Sequence, residues 1–278
     1  MFAPADPPEP RLVALTPLVS HAPWRLALPA ARPGGLLLWV NRGQGRAEIG
    51  PVLRGFGPNS VFWIPARTVH AFNFAPGAQG MLLAMPGRFV MPLPAHPIRL
   101  QIETLPLQSE LAGMFERLRA ESGSTETGHK VALRAHAALI AVWLARYADN
   151  HGGGERIVAP DARTGALVSR ALAEAAAGSA ALTVAELAER LEVSEAHLTR
   201  VIKSELGHTA HEVLNRAVMS AAARAVADTD LTAREIAERL GFSSPAYFNR
   251  AFAAALGEPP GRFRTEARGH LQAGFAGL

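Results

Sequence analysis

Two arginines, Arg200 and Arg250, are the residues of this sequence best suited to reading a nucleic acid. Each directly follows a polar residue, Thr199 in one case and Asn249 in the other. The guanidinium of arginine pairs bidentately with guanine, and the asparagine amide pairs bidentately with adenine. Whether the two arginines can act in the same way depends on the elements that position them.

The segments around the two arginines form an internal repeat. Residues 182–191 match residues 231–240 at an offset of 49, and residues 198–207 match residues 248–257 at an offset of 50. The second copy therefore has one extra residue in the turn between its two matching segments. Each copy predicts a helix, a tight turn and a second helix, with Arg200 or Arg250 on the second helix.

Turn and cap residues support this prediction. Ser194 and Ser244 precede the second helices, where serine side chains cap free backbone N–H groups. Pro245 follows Ser244 at the first helical position, where its missing N–H has no cost. Glycine at 207 ends the first of these helices. The segment 211–227 is predicted to join the copies as one helix.

The outward faces of the two second helices have the composition of major-groove reading surfaces, and we call them the reading faces. Apolar residues at helical spacing point inward, which leaves small and polar residues outside. The alternative is an all-helical domain whose repeat only buries helices. The first reading face holds Ala196, His197, Thr199, Arg200 and Lys203, and the second holds Ala246, Asn249 and Arg250.

The overall charge does not locate this chemistry. The formal net charge is +4 and the sequence pI is near 10.2. Residues 1–161 hold 15 Lys and Arg against 11 Asp and Glu, whereas residues 162–278 hold 13 of each. Because the basic excess lies outside the repeat, the prediction rests on which helix faces carry the arginines.

The first part of the chain predicts strands followed by two helices. Over residues 35–90, short apolar runs such as 60–65 and 70–74 alternate with turn sequences, a pattern typical of a small antiparallel barrel or jelly roll. Residues 1–34 predict a loose arm with one strand near 24–28. Apolar residues recur at helical spacing over 107–148, which predicts a helical pair.

The second copy of the repeat closely resembles the signature of the AraC family of bacterial transcription regulators. The resemblance is carried by residues 236–252, IAERLGFSSPAYFNRAF, followed by Gly257, Pro260 and Phe263-Arg264. It covers about residues 165–268 and implies a seven-helix domain that binds double-stranded promoter DNA, most often as an activator with RNA polymerase as a partner. By position it places base contacts at Ala196, Thr199 and Arg200, and at Pro245, Ala246, Asn249 and Arg250.

Two departures from the family pattern remove expected phosphate contacts. The family usually has arginine in the linking helix where this chain has Ala217, and basic residues where it has Ala253-Ala254. Each lost phosphate contact weakens binding and flattens its salt dependence. We therefore expect modest intrinsic affinity for DNA and reliance on dimerisation.

The N-terminal region resembles the cupin-type sensor of the same family. Residues 57–73 resemble the second cupin motif, and the overall layout most resembles members that sense small aromatic acids. A small-molecule effector bound in the barrel is therefore expected. The candidate ligand-binding residues are His70, Trp39, Arg42, Arg67 and Phe72. Each of these residues also has a purely structural explanation. His70 would be a histidine held by a backbone carbonyl, the aromatic residues would belong to the core, and each arginine would be a solvated surface residue.

The expected fold class is α+β multidomain. An N-terminal antiparallel β-barrel of the cupin or jelly-roll type with a helical pair precedes an all-α domain with two helix-turn-helix units. The expected divisions are 1–104 for the sensor barrel, 105–150 for a helical dimerisation or linker region, 151–162 for a linker rich in glycine, and 163–278 for the DNA-binding domain.

Enzymatic cupins hold a metal with two or three histidines and a carboxylate. Here His70 and Glu48 are the only candidates, so we expect no metal, no cofactor and no enzyme activity. The alternatives are a cupin enzyme or sensor, with or without a metal, that carries an appended helical module, and a regulator without an effector. The absence of cysteine, of a signal sequence and of a membrane-spanning run predicts a cytoplasmic protein. A two-sided operator further predicts a homodimer.

Overall fold

The computed structural model describes residues 6–89, 93–152, 154–159, 161–177 and 182–271. Its strands all lie before residue 157, and helices dominate from residue 105 onward, which confirms the predicted mixed α+β architecture. The strands are β1 Arg11–Ala14, β2 Leu36–Arg42, β3 Gly45–Ile49, β4 Val52–Phe56, β5 Ser60–Ile64, β6 His70–Phe74, β7 Gln79–Ala84, β8 Ile98–Gln101 and β9 Glu155–Arg156.

These strands form two antiparallel sheets. One has the order β1-β7-β2-β5-β8-β9, and the other has the order β4-β3-β6. Their facing sides enclose one apolar core, in which the rings of Phe56, Phe62 and Phe72 meet edge to face. No hydrogen-bonded ladder joins the two sheets within the ranges described, so a closed barrel stays a prediction.

The N-terminal arm differs from its prediction. The strand expected near 24–28 is wrong, because Trp24–Ala27 forms a short helix, α2, and Leu15–His21 forms another, α1. The expected looseness is also wrong, because Leu15 and Leu18 are fully buried in the core between the sheets. Packing against residues distant in sequence buries these side chains, and this packing overrides the local preference of the segment.

Two long helices cover the outer side of the six-stranded sheet. They are α3, Leu105–Ser122, and α4, His129–Asn150, which match the predicted helical pair. Alternation along β2 sends Leu37 and Trp39 towards them, and the Trp39 ring stacks on Phe115 of α3. By length and composition α4 could cross a membrane, but a buried core helix passes the same test, and α4 packs against this sheet.

The C-terminal part is a set of seven helices within the described ranges. The predicted linker 151–162 contains β9, which pairs with β8, and its residues 153 and 160 lie outside the described residues. The helices are α5 Ala162–Ala177, α6 Val184–Arg190, α7 Glu195–Leu206, α8 Ala210–Asp228, α9 Ala233–Leu240, α10 Pro245–Leu256 and α11 Pro260–Leu271.

Helix α8 joins the two helix pairs and also contacts the N-terminal region. Arg216 of α8 donates two hydrogen bonds, of 3.0 and 2.8 Å, to the carboxylate of Glu48 in β3. Asp228, at the other end of α8, accepts both ends of the buried Arg25 guanidinium from α2. These two bidentate pairs fix α8 against the N-terminal region at both ends, and we call this contact the seam.

The seam buries more positive than negative charge. Arg25, Arg32 and Arg224, which we call the seam arginines, are each at most 5% exposed. Arg224 donates to the Ser220 carbonyl at 2.9 Å, but its Nε and Nη2 atoms and the Nε atom of Arg32 have no hydrogen-bond partner in the described structure. Burial and the neighbouring arginines lower the pKa of Arg32 to about 9, and burial and Arg25 lower that of Arg224 to about 10.

Candidate nucleic-acid interface

The first helix pair, α6 and α7, is held by caps and by a shared core. Thr183 and Glu186 form a reciprocal capping box at the start of α6, and Ser194 Oγ accepts the His197 N–H at 3.2 Å at the start of α7. The latter confirms the predicted cap. Gly207 ends α7 with φ +71°, a conformation that glycine adopts without strain. The caps thus fix the length and direction of the helix that carries Arg200.

The second pair, α9 and α10, repeats this construction. Thr232 and Glu235 form the matching capping box, and Ser244 Oγ accepts the Tyr247 N–H at 3.2 Å. Phe248 and Phe252 are fully buried and hold α10 against α9 and α11. The residues that recur in the repeat are therefore the cap and core residues of two similarly built helix pairs.

The side chains of α7 and α10 that were predicted to face outward are exposed, with the exception of one half-buried histidine. Arg200 and Arg250 are both exposed, whereas Leu198 and Phe248 at their inner sides are fully buried. His197 is half-buried. The other predicted contact residues are all exposed: Ala196, Thr199, Lys203, Pro245, Ala246 and Asn249.

The two arginines differ from two other exposed cations of the C-terminal helices, Arg234 and Arg262, which are held in ion pairs. Arg234 pairs with Glu238 at 3.0 Å, and Arg262 pairs with Glu258 and Glu266. By contrast, no described carboxylate lies within salt-bridge distance of Arg200 or Arg250. Arg200 contacts the His197 ring at 3.1 Å. Their charge is therefore available to an anionic or hydrogen-bonding partner from outside the chain.

Tyr247 also lies on the second reading face, although the sequence pattern did not predict it there. Its side chain is 52% exposed, and together with Arg250 it borders a groove of about 940 Å³ between α8 and α10. His211 and Asn215 form the opposite wall of the groove. The buried positions of α10 include Phe248 and Phe252, and Tyr247 lies one residue before the first of them. This offset is the only sequence signal that could have indicated that Tyr247 faces outward.

Ala217, where we noted a missing arginine, is only 8% exposed and packs in the core of the first helix pair. Its small size is thus explained by packing of α8 against its neighbours. At the other departure, Ala253-Ala254, Ala253 is half-buried, whereas Ala254 is exposed and borders the groove. Of the two departures, the one at Ala254 lies on accessible surface.

The five predicted ligand-binding residues do not surround one space. Phe72 lies between the two sheets, and Trp39 lies on the opposite side of the six-stranded sheet against α3. Arg42 is exposed at the end of β2. Arg67 borders a separate cavity, of about 520 Å³, between the sheets and α5. Trp39 and Phe72 therefore contribute to two different cores.

His70 has a structural role, because a backbone carbonyl holds its ring. Its Nδ1 lies 2.8 Å from the Thr68 carbonyl oxygen, so the Nδ1–H donates this bond. Burial, and to a smaller extent the charge of Arg32, lower the pKa of His70 to about 3. The ring is therefore neutral at physiological pH. In the described part of the chain, no group of three His, Asp or Glu side chains is placed to hold a metal ion.

Comparison with known proteins matches the helical part of the chain to transcription regulators. Residues 187–266 match a family described as a helix-turn-helix domain. A putative AraC-like transcription regulator of Streptomyces lividans is 35% identical over 82 residues, which are 30% of this chain and 27% of that protein. An uncharacterized HTH-type transcriptional regulator of Bacillus subtilis, YfiF, is 37% identical over 84 residues, 30% of this chain and 26% of that protein.

The whole fold has a solved counterpart. A single-residue variant of ToxT from Vibrio cholerae, in its apo form, is 13% identical and superposes with a TM-score of 0.51 over 93% of this chain and 94% of that one. At this identity the likeness concerns the fold alone. The aligned regions span 11% to 31% of the length of the curated relatives. The family and the relatives that match confirm the prediction that the helical part of the chain is a helix-turn-helix domain of a transcription regulator.

Proposed function

We propose that the chain is an AraC-type transcription regulator, which the match of its helical part to helix-turn-helix regulators supports, and that it binds specific double-stranded DNA through both helix pairs and regulates transcription in response to a small molecule. In this proposal residues 163–278 are the DNA-binding domain and residues 1–104 form the sensor, which residues 105–150 and the linker 151–162 connect to it. The observation that carries the proposal is the pair of exposed arginines, Arg200 and Arg250, at equivalent positions of two similarly built helix pairs.

Each reading face supplies groups of complementary chemistry to base edges. Arg200 and Arg250 can each pair with the O6 and N7 atoms of a guanine, and Asn249 can pair with an adenine. Ala196 and Ala246 are small enough to contact thymine methyl groups. The N-terminal turns of α7 and α10 carry most of these residues, as recognition helices do when they enter a major groove.

Helix α8 supports a spacing that suits two successive major grooves. Its 19 residues span about 28 Å at 1.5 Å per residue. With the width of the helix pairs added, the two reading faces approach the roughly 34 Å of one turn of the duplex. We propose that one chain contacts two blocks of bases about one turn apart on one side of the DNA.

The remaining parts of the proposal follow from the family. The regulator acts in the cytoplasm, as a homodimer, and its most common mode in the family is activation with RNA polymerase. The effector is a small molecule bound by the N-terminal region, with an aromatic acid as the first class to test. An effector that binds only the folded protein raises its unfolding temperature, so a thermal-shift series with aromatic acids and sugars separates a ligand-responsive regulator from one without effector.

The direct test is selection of a random-sequence duplex library on the purified full-length chain. We expect enrichment of a motif with two blocks whose centres are about 10 base pairs apart. A double variant, Arg200→Ala with Arg250→Ala, is the control and should enrich no such motif. If the wild-type chain enriches no sequence above the input library, the proposed function is wrong.

A further inference from the structure

The cavity beside Arg67 lies where the N-terminal region, the linker and the first helix of the C-terminal domain meet, and we call it the hinge cavity. Its volume of about 520 Å³ is within the range of roughly 300–1,000 Å³ typical of small-molecule sites. The turn between β3 and β4, the loop 66–69, the linker residues 156–159 and the start of α5 all contribute to its wall. It is therefore built from both domains and the segment that joins them.

The wall of the hinge cavity is apolar apart from a few groups. Ile49, Pro51, Val69, Ile157 and Ala166 supply apolar surface to it. Among the described lining residues, the charged ones are two arginines, Arg67 and Arg156, and none is acidic. An occupant that suits this wall has an apolar body and an acidic group.

Acidic side chains near the cavity are already engaged elsewhere. Glu155, beside Arg156, pairs with Arg54 at 3.1 Å and with Arg99 at 3.3 Å. Asp161 accepts the Arg163 N–H at 2.9 Å. Within the ranges the structure covers, no carboxylate lies within salt-bridge distance of Arg67 or Arg156. Both guanidinium groups therefore remain available to an anion that enters the cavity.

The backbone holds Arg67 in an unfavourable conformation at the cavity edge. Its φ is +61°, in the left-handed region that residues other than glycine rarely adopt. The Arg67 N–H donates to the Arg32 carbonyl at 2.7 Å and keeps the loop in this conformation. Backbone strain of this kind concentrates at ligand sites, where the surrounding structure maintains it.

A ligand in the hinge cavity would contact the helix that supports the first reading face. Ala166 and Ser169 of α5 line the cavity, while Val168 and Leu172 on the inner side of α5 pack in one core with Val201 of α7. A change in the position of α5 therefore acts directly on the packing of the helix that carries Arg200.

From these observations we propose that the hinge cavity is the effector site and that the effector is a small amphipathic anion. Its apolar body lies against Ile49, Val69 and Ile157, and its acidic group pairs with Arg67 and Arg156. This inference rests on the proposed function, since it names the ligand class and the site through which DNA binding is controlled. It moves the effector from the space between the sheets to the junction of the domains.

The test uses two fluorescent probes that differ mainly in charge. 8-Anilinonaphthalene-1-sulfonate carries a sulfonate, and N-phenyl-1-naphthylamine has the same ring system without it. We expect the sulfonate probe to bind the full-length protein saturably at one site, with an affinity at least tenfold above that of the neutral probe. Equal affinity for the two probes, or no saturable binding, overturns the inference.

Three variants locate the binding. Arg67→Gln combined with Arg156→Gln should raise the Kd of the sulfonate probe about tenfold, the loss of about 1.4 kcal/mol of charge pairing, and leave the Kd of the neutral probe unchanged. Ala166→Trp, at an exposed helical position, should fill the cavity and lower the affinity of the protein for both probes. The matched control is Arg170→Gln on the same helix but outside the cavity, which should change neither. Sulfonate binding unaffected by Ala166→Trp would place the site elsewhere and contradict the inference.

A separate measurement keeps this inference distinct from the proposed function. The affinity for the duplex selected above is measured without probe and again at saturating sulfonate probe. We expect at least a fivefold change in Kd for the wild-type chain and none for Ala166→Trp. If the duplex binds with the same Kd in the presence and absence of the probe, the inference is wrong and the proposed function stands. If no duplex binds, the proposed function is wrong.

Discussion

The arginines of the reading faces and the arginines of the seam show two opposite ways of placing the same side chain. Arg200 and Arg250 are exposed, on capped helices, and no described carboxylate pairs with them. The seam arginines are buried, and Asp228 binds one of them, Arg25, bidentately. Removing a reading-face arginine should therefore affect binding and leave folding intact, whereas disturbing the seam should affect folding first.

The largest expected effect is on the seam. Asp228→Asn removes the negative partner of Arg25, whose side chain is only 2% exposed, and leaves a buried charge uncompensated. We expect the free energy of unfolding to fall by about 3 kcal/mol, at the lower end for buried pairs because Asp228 itself is partly exposed. Urea denaturation monitored by circular dichroism measures this change.

Arg224→Met is the matched variant on the same helix. It removes a buried cation whose Nε and Nη2 atoms have no described partner, and methionine has similar length without charge. We expect its free energy of unfolding to stay within about 1 kcal/mol of wild type, because replacing poorly compensated buried charge by apolar volume is often neutral. A loss larger than that of Asp228→Asn would contradict this account of the seam.

The second effect is on the reading faces. Arg250→Ala should weaken binding to the selected duplex about 30-fold, or roughly 2 kcal/mol, because one bidentate base contact is lost. Fluorescence anisotropy with a labelled duplex gives the Kd. The control Arg262→Ala removes a cation that is 72% exposed and already paired within its helix, and should leave the Kd nearly unchanged. An unfolding midpoint lowered in Arg250→Ala would mean that this arginine stabilises the fold.

The third prediction concerns pH at the seam. His70 is neutral in the folded protein because burial lowers its pKa to about 3, whereas in the unfolded chain it titrates near 6.5. Its contribution to stability is therefore fully present above pH 6.5 and is lost as the pH falls towards 3, at up to about 1.4 kcal/mol per pH unit.

The capping glutamates act in a lower pH range. Hydrogen bonds from the Thr232 backbone and side chain lower the pKa of Glu235, so its contribution is lost only as the pH falls below about 4.5. Between pH 6.5 and 5 the contribution of His70 adds to that of His96, whose pKa burial and Arg156 also lower, so the difference between wild type and a His70 variant isolates His70. His70→Gln should flatten the loss of stability in this interval, and an unchanged slope would contradict the role given to His70.

The smallest effect concerns salt. The reading faces lie in a region without net positive charge, so we expect the logarithm of the DNA affinity to depend weakly on the logarithm of salt concentration. Ala254→Arg, at the exposed position beside the groove, should steepen this slope by about 0.9 through one added phosphate contact. A wild-type slope as steep as that of a strongly basic family member would contradict the expectation of modest affinity.

The reading faces could be predicted from sequence because their determinants are local. Caps such as Ser194 and Ser244 lie within three residues of the groups they bind, and the spacing of Phe248 and Phe252 fixes which side of α10 is buried. Because buried positions recur with the period of the helix, the spacing of the apolar residues is enough to predict that Arg200 and Arg250 face outward.

The seam could not be predicted in the same way. Its ion pairs join residues 168 and 203 positions apart, and no periodic pattern relates Glu48 to Arg216 or Arg25 to Asp228. The same limit explains why Trp24–Ala27 was expected as a strand: the Trp24 ring lies 5.2 Å from that of Phe263, a neighbour that only the folded chain supplies. The hinge cavity is built from segments distant in sequence, so it could not be predicted from the sequence, and of its residues only Arg67 was a candidate for ligand binding.

The most direct test of the central claim is selection of duplex libraries on three proteins: wild type, Arg200→Ala and Arg250→Ala. We predict that each single variant loses base preference in one block of the motif, that the two variants affect different blocks, and that these blocks lie about one helical turn apart. Loss of preference in the same block by both variants, or an unchanged motif in either, would contradict the account of two helix pairs that each read their own bases.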